Sequence, residues 1–191
     1  WMHSGNRRAR IFRIGRGRET PVYTDVAQLS LDRPTRLAVG ADVLLLATGV
    51  MVQEALAAAT ALAADGIGAS VVDVHTLKPF PGAAVADLAA AHRSVVTVEE
   101  HTVEGGLGTM TVEALAAAGV GTPVHKHGLR DEYALVGPPT HLYRYYGLDG
   151  TGVATVARRM HELRSRTPLV AGPLWTADDR AAVYARYGVP R

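Results

Sequence analysis

Two acidic side chains and an imidazole follow the end of an apolar run in this sequence. Glu99, Glu100 and His101 come directly after Ser94–Val98, which predicts a buried strand. Open α/β sheets place their ligands at the carboxyl ends of strands, and a Glu–His pair can transfer protons there. His75, which follows the preceding apolar run, is placed in the same way. These residues are candidates for acid–base chemistry or for contact with another chain.

A glycine-rich loop follows this group. Gly105-Gly106-Leu107-Gly108 precedes a helix predicted from Thr109 to Ala118. A helix N-terminus presents free N–H groups, so the loop can bind an anion. It is not a Walker loop, because no Gly-Lys-Ser/Thr follows, and it lacks the full dinucleotide-binding spacing. We favour a tight turn that lets the helix approach the sheet closely.

Two histidines alternate along a further predicted strand. His125 and His127 could be metal ligands, but the sequence positions no third ligand beside them, so we interpret them as strand histidines. Asp131 and Glu132, which follow, fit a loop or capping role better than paired catalysis. The chain has no cysteine, which excludes disulfides, thiolate nucleophiles and cysteine zinc sites.

Short apolar runs alternate with helical patterns, which predicts a parallel sheet covered by helices on both faces. The predicted strands are Ala9–Ile14, Thr35–Val39, Asp42–Ala47, Ala69–Val74, Ser94–Val98 and Pro123–His127. The predicted helices are Val52–Ala64, Ala83–Ala91, Thr109–Ala118, Thr140–Tyr146, Gly152–Arg164 and Thr176–Arg186. Three aromatic residues before or within the last of these helices are expected to dock on the domain or on a partner: Trp175, Tyr184 and Tyr187.

The composition is that of a globular protein. Of 191 residues, 48% are hydrophobic and 20% are charged, and the formal net charge is +2. No apolar run reaches the roughly 20 residues of a membrane span and no signal peptide is visible, so we expect a cytoplasmic protein. Arginines crowd the first twenty residues, but aromatic residues do not alternate with them, which disfavours nucleic-acid binding.

Four segments in the right order resemble the transketolase family. They are ATGVMVQEALAAATALAADGIGASVVDVHTLKPF (47–80), VVTVEEHTVEGGLGTMTVEALA (95–116), GLRDEYALVGPPTHLYRYYGLDGTGVATVARRM (128–160) and the junction-like IFRIGRGRETPVY (11–23). The glutamate-x-x-x-x-Gly-Gly-Leu-Gly loop is the strongest single marker. The resemblance spans about residues 9 to 163 and is to the C-terminal component of a split bacterial transketolase.

This resemblance implies an α/β fold with three layers (α/β/α) and a mixed, mostly parallel five-stranded sheet, in which Thr35–Val39 runs antiparallel. It implies transfer of a two-carbon ketol unit with thiamine diphosphate and Mg²⁺ (or Ca²⁺), both bound by partner chains. Those partners would be N-terminal components that carry the diphosphate- and pyrimidine-binding domains, in a dimer of hetero-oligomers. The substrate would be a sugar or a 2-oxo acid, and no nucleic acid or membrane is implied.

The same resemblance divides the chain into four parts. Residues 1–24 would be the terminal strand and exit of a pyrimidine-binding domain that is otherwise missing, and 25–40 a linker and first strand. Residues 41–165 would be the transketolase C-terminal domain, and 166–191 a C-terminal extension. A chain divided in this way is expected to be inactive alone.

Arg16 and Arg13 are the site residues that the resemblance implies. In related enzymes an arginine leaving the last strand of the pyrimidine-binding domain grips the anionic end of a sugar phosphate, and a guanidinium fork matches phosphate oxygens. No catalytic, cofactor-binding or metal-binding residue is expected in this chain. In this family the edge bearing Glu99 and His101 packs on a neighbouring domain, so we favour a contact role for it.

Two alternatives to this function remain open. The same fold would serve a component of a 2-oxo acid dehydrogenase or of a deoxyxylulose phosphate synthase. The Ile-Gly between Arg13 and Arg16 favours the transketolase over the synthase's Tyr-Pro. The chain could instead be a noncatalytic dimerisation or regulatory module.

Overall fold

The structure, a computed structural model, describes residues 11–12, 20–23, 29–166 and 175–187. The strands are β1 (Thr35–Ala38), β2 (Val43–Ala47), β3 (Ala69–Asp73), β4 (Ser94–Thr102) and β5 (Val124–Leu129). The helices are α1 (Met51–Ala64), α2 (Gly82–Ala90), α3 (Leu107–Ala117), α4 (Pro139–Tyr146), α5 (Gly150–Arg166) and α6 (Ala177–Tyr187). Each strand and helix predicted from Thr35 onwards is present, with its bounds shifted at one or both ends.

The five strands form one mixed sheet in the order β1-β3-β2-β4-β5. β2 pairs in parallel with β3 and β4, and β4 pairs in parallel with β5. β1 is antiparallel to β3, with Thr35 opposite Asp73. The predicted mixed sheet with an antiparallel first strand is therefore confirmed.

Helices cover both faces of the sheet, because the central strands are apolar on both sides. All five residues of β2 are buried. Leu45 belongs to a core shared with α1 and α5, whereas Leu44 and Leu46 belong to a core shared with α2 and α3. Burying each of these leucines contributes about 1.5–3 kcal/mol. The result is the predicted three-layer α/β/α arrangement.

Two helices start two residues earlier than predicted, because carboxylates from other elements accept their first N–H groups. α3 begins at Leu107, two residues before the predicted Thr109, and its first turn is bound by Glu99. α5 begins at Gly150, whose N–H donates to Glu54 Oε2 at 2.7 Å. Neither carboxylate lies in the local sequence on which the prediction depended.

The predicted strand Ala9–Ile14 lies mostly outside the described residues. Its members Ile11 and Phe12 are described, belong to no strand, and are exposed. Among the described residues, no helix combines the length and the apolar character that crossing a membrane requires.

Candidate functional site

The candidate site is the edge of the sheet at which the parallel strands end, here called the carboxyl edge. β2 ends there at Ala47, β3 at Asp73, β4 at Thr102 and β5 at Leu129. The antiparallel β1 contributes its first residue, Thr35, to the same edge. Open α/β sheets place ligands and contacts at this edge, so its polar side chains decide what it can do.

Glu99 lies on β4 and is fully buried. Its Oε2 accepts the backbone N–H of Leu107 at 2.7 Å, and its Oε1 accepts that of Gly108 at 3.0 Å. Burial raises the pKa of Glu99, while these two N–H groups and the nearby His101 lower it. The interpretation of Glu99 as a contact residue is wrong, since both of its oxygens bind the N-terminus of α3.

The glycine loop forms a close contact between helix and sheet, as we expected. A Cβ on Gly106 would lie 2.0 Å from Glu99 Oε2, and a Cβ on Gly108 would lie 2.6 Å from Lys126 Cγ. Neither position can hold a larger residue without a shift. The anion bound at this helix N-terminus is therefore a side chain of the same protein.

Glu99 and His101 lie on one face of β4 and Glu100 on the other, because side chains alternate along a strand. Glu100 accepts a hydrogen bond from the Tyr143 hydroxyl of α4. His101 is 37% exposed, and its Nε2 lies 3.5 Å from Glu99 Oε2. His101 thus reaches solvent with the buried Glu99 carboxylate behind it, and Glu100 is half-buried.

A second polar cluster lies at the end of β3, around Asp73. Tyr23 donates a hydrogen bond from its hydroxyl to Asp73 Oδ2, and Asp73 Oδ1 is buried without a partner among the described residues. Burial raises the pKa of Asp73 and also that of Tyr23. His75 Nε2 lies 3.4 Å from Thr35 Oγ1 beside this pair. This cluster was not predicted, although an aspartate near the end of a buried run is a visible signal in the sequence.

The Tyr23–Asp73 bond also attaches the segment before β1 to the carboxyl edge. A second attachment comes from the Gln53 side chain of α1, whose Nε2 donates to the carbonyl oxygen of Thr20. Residues 20–23 therefore contact both the end of β3 and the start of α1. The predicted site residues Arg13 and Arg16 lie outside the described residues.

The two strand histidines are packed against the chain. His127 is buried, and its Nε2 donates to the Gly147 carbonyl oxygen at 2.7 Å, which fixes the tautomer. Burial lowers the pKa of His127. Burial, together with the neighbouring His127 and Arg130, lowers the pKa of His125 to about 4. Both imidazoles are therefore neutral near pH 7.

The loop after β5 is held by residues from α4 and α6. The Leu135 N–H donates to the Tyr146 hydroxyl at 2.8 Å, and Glu132 forms an ion pair with Arg180 at 2.9 Å. This supports the loop role predicted for Glu132. Tyr133 and Val136 of the same loop are fully exposed.

The extension after α5 docks through Trp175 and α6. The Trp175 indole N–H donates to the Tyr145 carbonyl oxygen at 3.2 Å. Asp179 of α6 accepts two hydrogen bonds from Arg159, each of 2.8 Å. The predicted docking on the domain is confirmed for Trp175, whereas Tyr184 is exposed, and the Tyr187 side chain lies outside the described part of the structure.

The family model described as "Transketolase, C-terminal domain" matches residues 35–153. The chain belongs to this family. The prediction from the four sequence segments is thereby confirmed, and the fold agrees with it.

Similar proteins include a subunit of a transketolase and a synthase. The 6-deoxy-6-sulfo-D-fructose transketolase subunit SqwH of Clostridium sp. (strain MSTE9) is 40% identical over 139 residues, which are 73% of this chain and 42% of that protein. The 1-deoxy-D-xylulose-5-phosphate synthase of Chlorobium luteolum (strain DSM 273 / BCRC 81028 / 2530) is 37% identical over 149 residues, 78% of this chain and 23% of that protein. The chain spans less than half the length of these relatives.

A solved structure described as "Split gene transketolase, inactive beta4 tetramer" superposes with a TM-score of 0.71 at 35% identity. The match covers 76% of this chain and 47% of that one. The family membership and the fold therefore agree between sequence and structure.

The described residues do not fit the thiamine diphosphate and metal ion that this family implies. No group of three or more His, Asp or Glu side chains in the described ranges could hold a metal ion. The helix N-terminus after the glycine loop, which could otherwise receive a phosphate, already binds Glu99.

Proposed function

We propose that this chain is the C-terminal component of a thiamine-diphosphate-dependent, transketolase-like enzyme that transfers a two-carbon ketol unit. Partner chains would carry the diphosphate- and pyrimidine-binding domains and would bind the cofactor with Mg²⁺ or Ca²⁺. The assembly would be a dimer of hetero-oligomers, and this chain alone would be inactive. The enzyme would be a cytoplasmic transferase.

The match to the family over part of the relatives' length is the observation that carries this proposal. The chain covers 42% of a relative that is itself named a transketolase subunit. The similar solved structure is described as an inactive β4 tetramer of a split-gene transketolase. Both descriptions support a division of this activity between polypeptides. The occupation of the α3 N-terminus by Glu99 supports a cofactor site on a partner.

The contribution of this chain would be a rigid contact face and an arginine. The face would be the carboxyl edge with His101 and with the exposed Tyr133 and Val136 of the loop after β5. Exposed aromatic and aliphatic side chains of this kind are typical of contact surfaces. Glu99 would act from inside by holding α3 against that edge.

Arg16, with Arg13 as the alternative, would bind the anionic end of the substrate. Thr20, four residues after Arg16, is attached to Gln53 of α1. A trans-peptide chain spans at most about 3.6 Å per residue, so four residues reach no further than about 14 Å. This short connection favours a position of the Arg16 guanidinium near the carboxyl edge.

Reconstitution tests the proposal. This chain is mixed with the N-terminal components, thiamine diphosphate and Mg²⁺, and ketol transfer is measured with and without it. We expect turnover only when all components are present, and a complex that elutes together in size exclusion. Equal turnover without this chain would favour a noncatalytic module, and turnover by this chain alone would refute a cofactor site on the partner.

A second candidate is a component of a deoxyxylulose phosphate synthase, since several relatives at 35–38% identity carry that name. The same reconstituted mixture distinguishes the two when formation of 1-deoxy-D-xylulose 5-phosphate is assayed beside ketol transfer. We expect ketol transfer to dominate, because the most similar relative named above is a transketolase subunit.

A further inference from the structure

A cleft of about 170 Å³ lies beside β5, where the strand meets the extension. His125 and Arg130 line it from the strand side, and Tyr146 lines it from α4. Trp175 and Arg180 of the extension complete the wall. The extension lies beyond residues 35–153, so the family's common domain does not by itself build this cleft.

Cationic groups outnumber acidic ones in this cleft. Arg130 is exposed and has no carboxylate within ion-pair distance among the described residues. Within the described residues, Arg180 has one acidic partner, Glu132, which binds its Nη1. Lys126, which also lines the cleft, pairs with Glu104. One guanidinium charge is thus left without compensation.

Arg180 is held in place rather than free to swing. Its guanidinium carbon lies 5.3 Å from the centre of the Tyr146 ring and 5.7 Å from that of Tyr145, a cation–π arrangement. Its Nε is buried and lacks an acceptor in the described part of the chain. A buried N–H without an acceptor is costly, and a pre-positioned guanidinium loses little entropy when it binds.

We propose that this cleft binds a small tetrahedral oxyanion, the phosphate or sulfonate group of a small molecule, between Arg130 and Arg180. Guanidinium forks bind such oxygens in pairs. The cleft volume of about 170 Å³ favours a small ligand. This proposal does not depend on the proposed enzyme function.

Trp175 provides a direct readout, because the chain has two tryptophans and the other, Trp1, can be replaced. The full chain carrying Trp1→Phe is titrated with inorganic phosphate, glycerol 3-phosphate and methanesulfonate, with NaCl keeping the ionic strength constant. We expect a saturable change in Trp175 emission. Tighter binding of glycerol 3-phosphate than of phosphate would identify an esterified ligand, and the reverse order a free anion.

Substitutions locate the site. Arg130→Gln, at an exposed position, should weaken the apparent affinity at least about tenfold, because a hydrogen bond to a charged group is lost. Arg180→Lys should weaken it while keeping the charge, since the fork is lost. Arg36→Gln is the matched control, because Arg36 is an exposed arginine on β1 at the opposite edge of the sheet.

The His125 ring signals, followed by NMR in the same titration, give a second readout from the opposite wall. Shifts that saturate with phosphate in the parent chain and vanish in Arg130→Gln support the site. The proposal is overturned if NaCl alone reproduces the changes, if Arg130→Gln and Arg36→Gln bind equally, or if neither Trp175 nor His125 responds. Circular dichroism checks that each variant retains its helices.

Discussion

Glu99 Oε1 accepts the backbone N–H of Gly108 at 3.0 Å, so a strand residue closes the glycine loop nine positions further along the chain. The carboxylate neutralises the positive end of α3 from inside the protein. The loop resembles an anion-binding motif, but its N–H groups bind Glu99 and so connect α3 to β4.

Glu99→Gln should lower the free energy of unfolding by about 1–3 kcal/mol, because an amide NH₂ would then face a backbone N–H of Leu107 or Gly108. Urea denaturation at pH 7 measures the change. Glu113→Gln, at an exposed position of α3, is the control and should stay within about 0.5 kcal/mol of the parent. Equal effects of the two substitutions would contradict the role of Glu99.

Asp73→Asn should remove part of the pH dependence of stability. Burial raises the pKa of Asp73 above its ordinary 3.8, so between the two pKa values the native state binds more protons than the unfolded chain. The free energy of unfolding therefore falls as pH rises through that window. We expect the variant to match the parent near pH 4 and to exceed it at pH 7.

Urea denaturation from pH 4 to 8 measures the free energy of unfolding of the parent and of Asp73→Asn. Tyr23→Phe is the companion variant, because it removes the hydroxyl that donates to Asp73 and should make the decline steeper. If Asp73→Asn instead lowers the free energy of unfolding at pH 7, the surroundings of Asp73 stabilise its charged carboxylate.

The local pattern of the sequence was enough to predict the sheet. The run Asp42–Ala47 is apolar throughout, and a strand buried on both faces is what such a run predicts. Thr35 was placed antiparallel by resemblance to the family, and its pairing with Asp73 agrees. Hydrophobic periodicity and glycine positions therefore predict the strands and helices, with bounds that are correct to within a few residues.

The contacts that build the candidate site could not be predicted in this way. Tyr23 and Asp73 are 50 positions apart, Glu132 and Arg180 are 48 apart, and Glu54 and Gly150 are 96 apart. Each pair joins polar groups that come together only after the sheet and helices have packed. Local propensity carries no information about such partners. The contact role of Glu99 was instead inferred from the family, in which this edge packs on a neighbouring domain.

His125→Gln should reduce the loss of stability in acid. The pKa of His125 is lowered to about 4, so as pH falls from about 6.5 the unfolded chain binds this proton first. The free energy of unfolding then decreases as pH falls through the window from 6.5 to 4. In this window the free energy of unfolding of the variant should depend less steeply on pH, by up to the slope that one bound proton contributes.

Urea denaturation across that window measures the slope, with His141→Gln at an exposed position as the control. NMR titration of the ring gives the pKa itself, and Arg130→Gln should raise it because one repelling charge is removed. A ring that titrates near 6.5 in the parent chain would contradict the packing described for β5.

Gly147→Ala should destabilise the chain and detach Trp175. Gly147 has φ of 70°, and a Cβ there would lie 2.2 Å from the Trp175 ring. Gly66→Ala is a matched control, because Gly66 has φ of 75° but open space around it. Both changes should cost about 1–2 kcal/mol from backbone strain, and Gly147→Ala should cost more. Urea denaturation and Trp175 emission in the Trp1→Phe background are the measurements. Equal costs with unchanged emission would mean that the indole does not pack there.

Arg16→Ala should raise KM for phosphorylated substrates in the reconstituted enzyme, if the proposed function holds. The loss of charge-assisted hydrogen bonds to phosphate corresponds to a rise of about 10–100-fold. Assembly should be unchanged, because Tyr23 and Gln53 attach the neighbouring segment independently of Arg16. Initial-rate kinetics measure KM, and sedimentation measures assembly.

Arg36→Ala, on β1, is the control for loss of a surface charge. Arg13→Ala tests the alternative holder of the phosphate. An unaltered KM in both Arg16→Ala and Arg13→Ala would remove the proposed phosphate contact, and a failure to assemble would instead assign Arg16 to the interface.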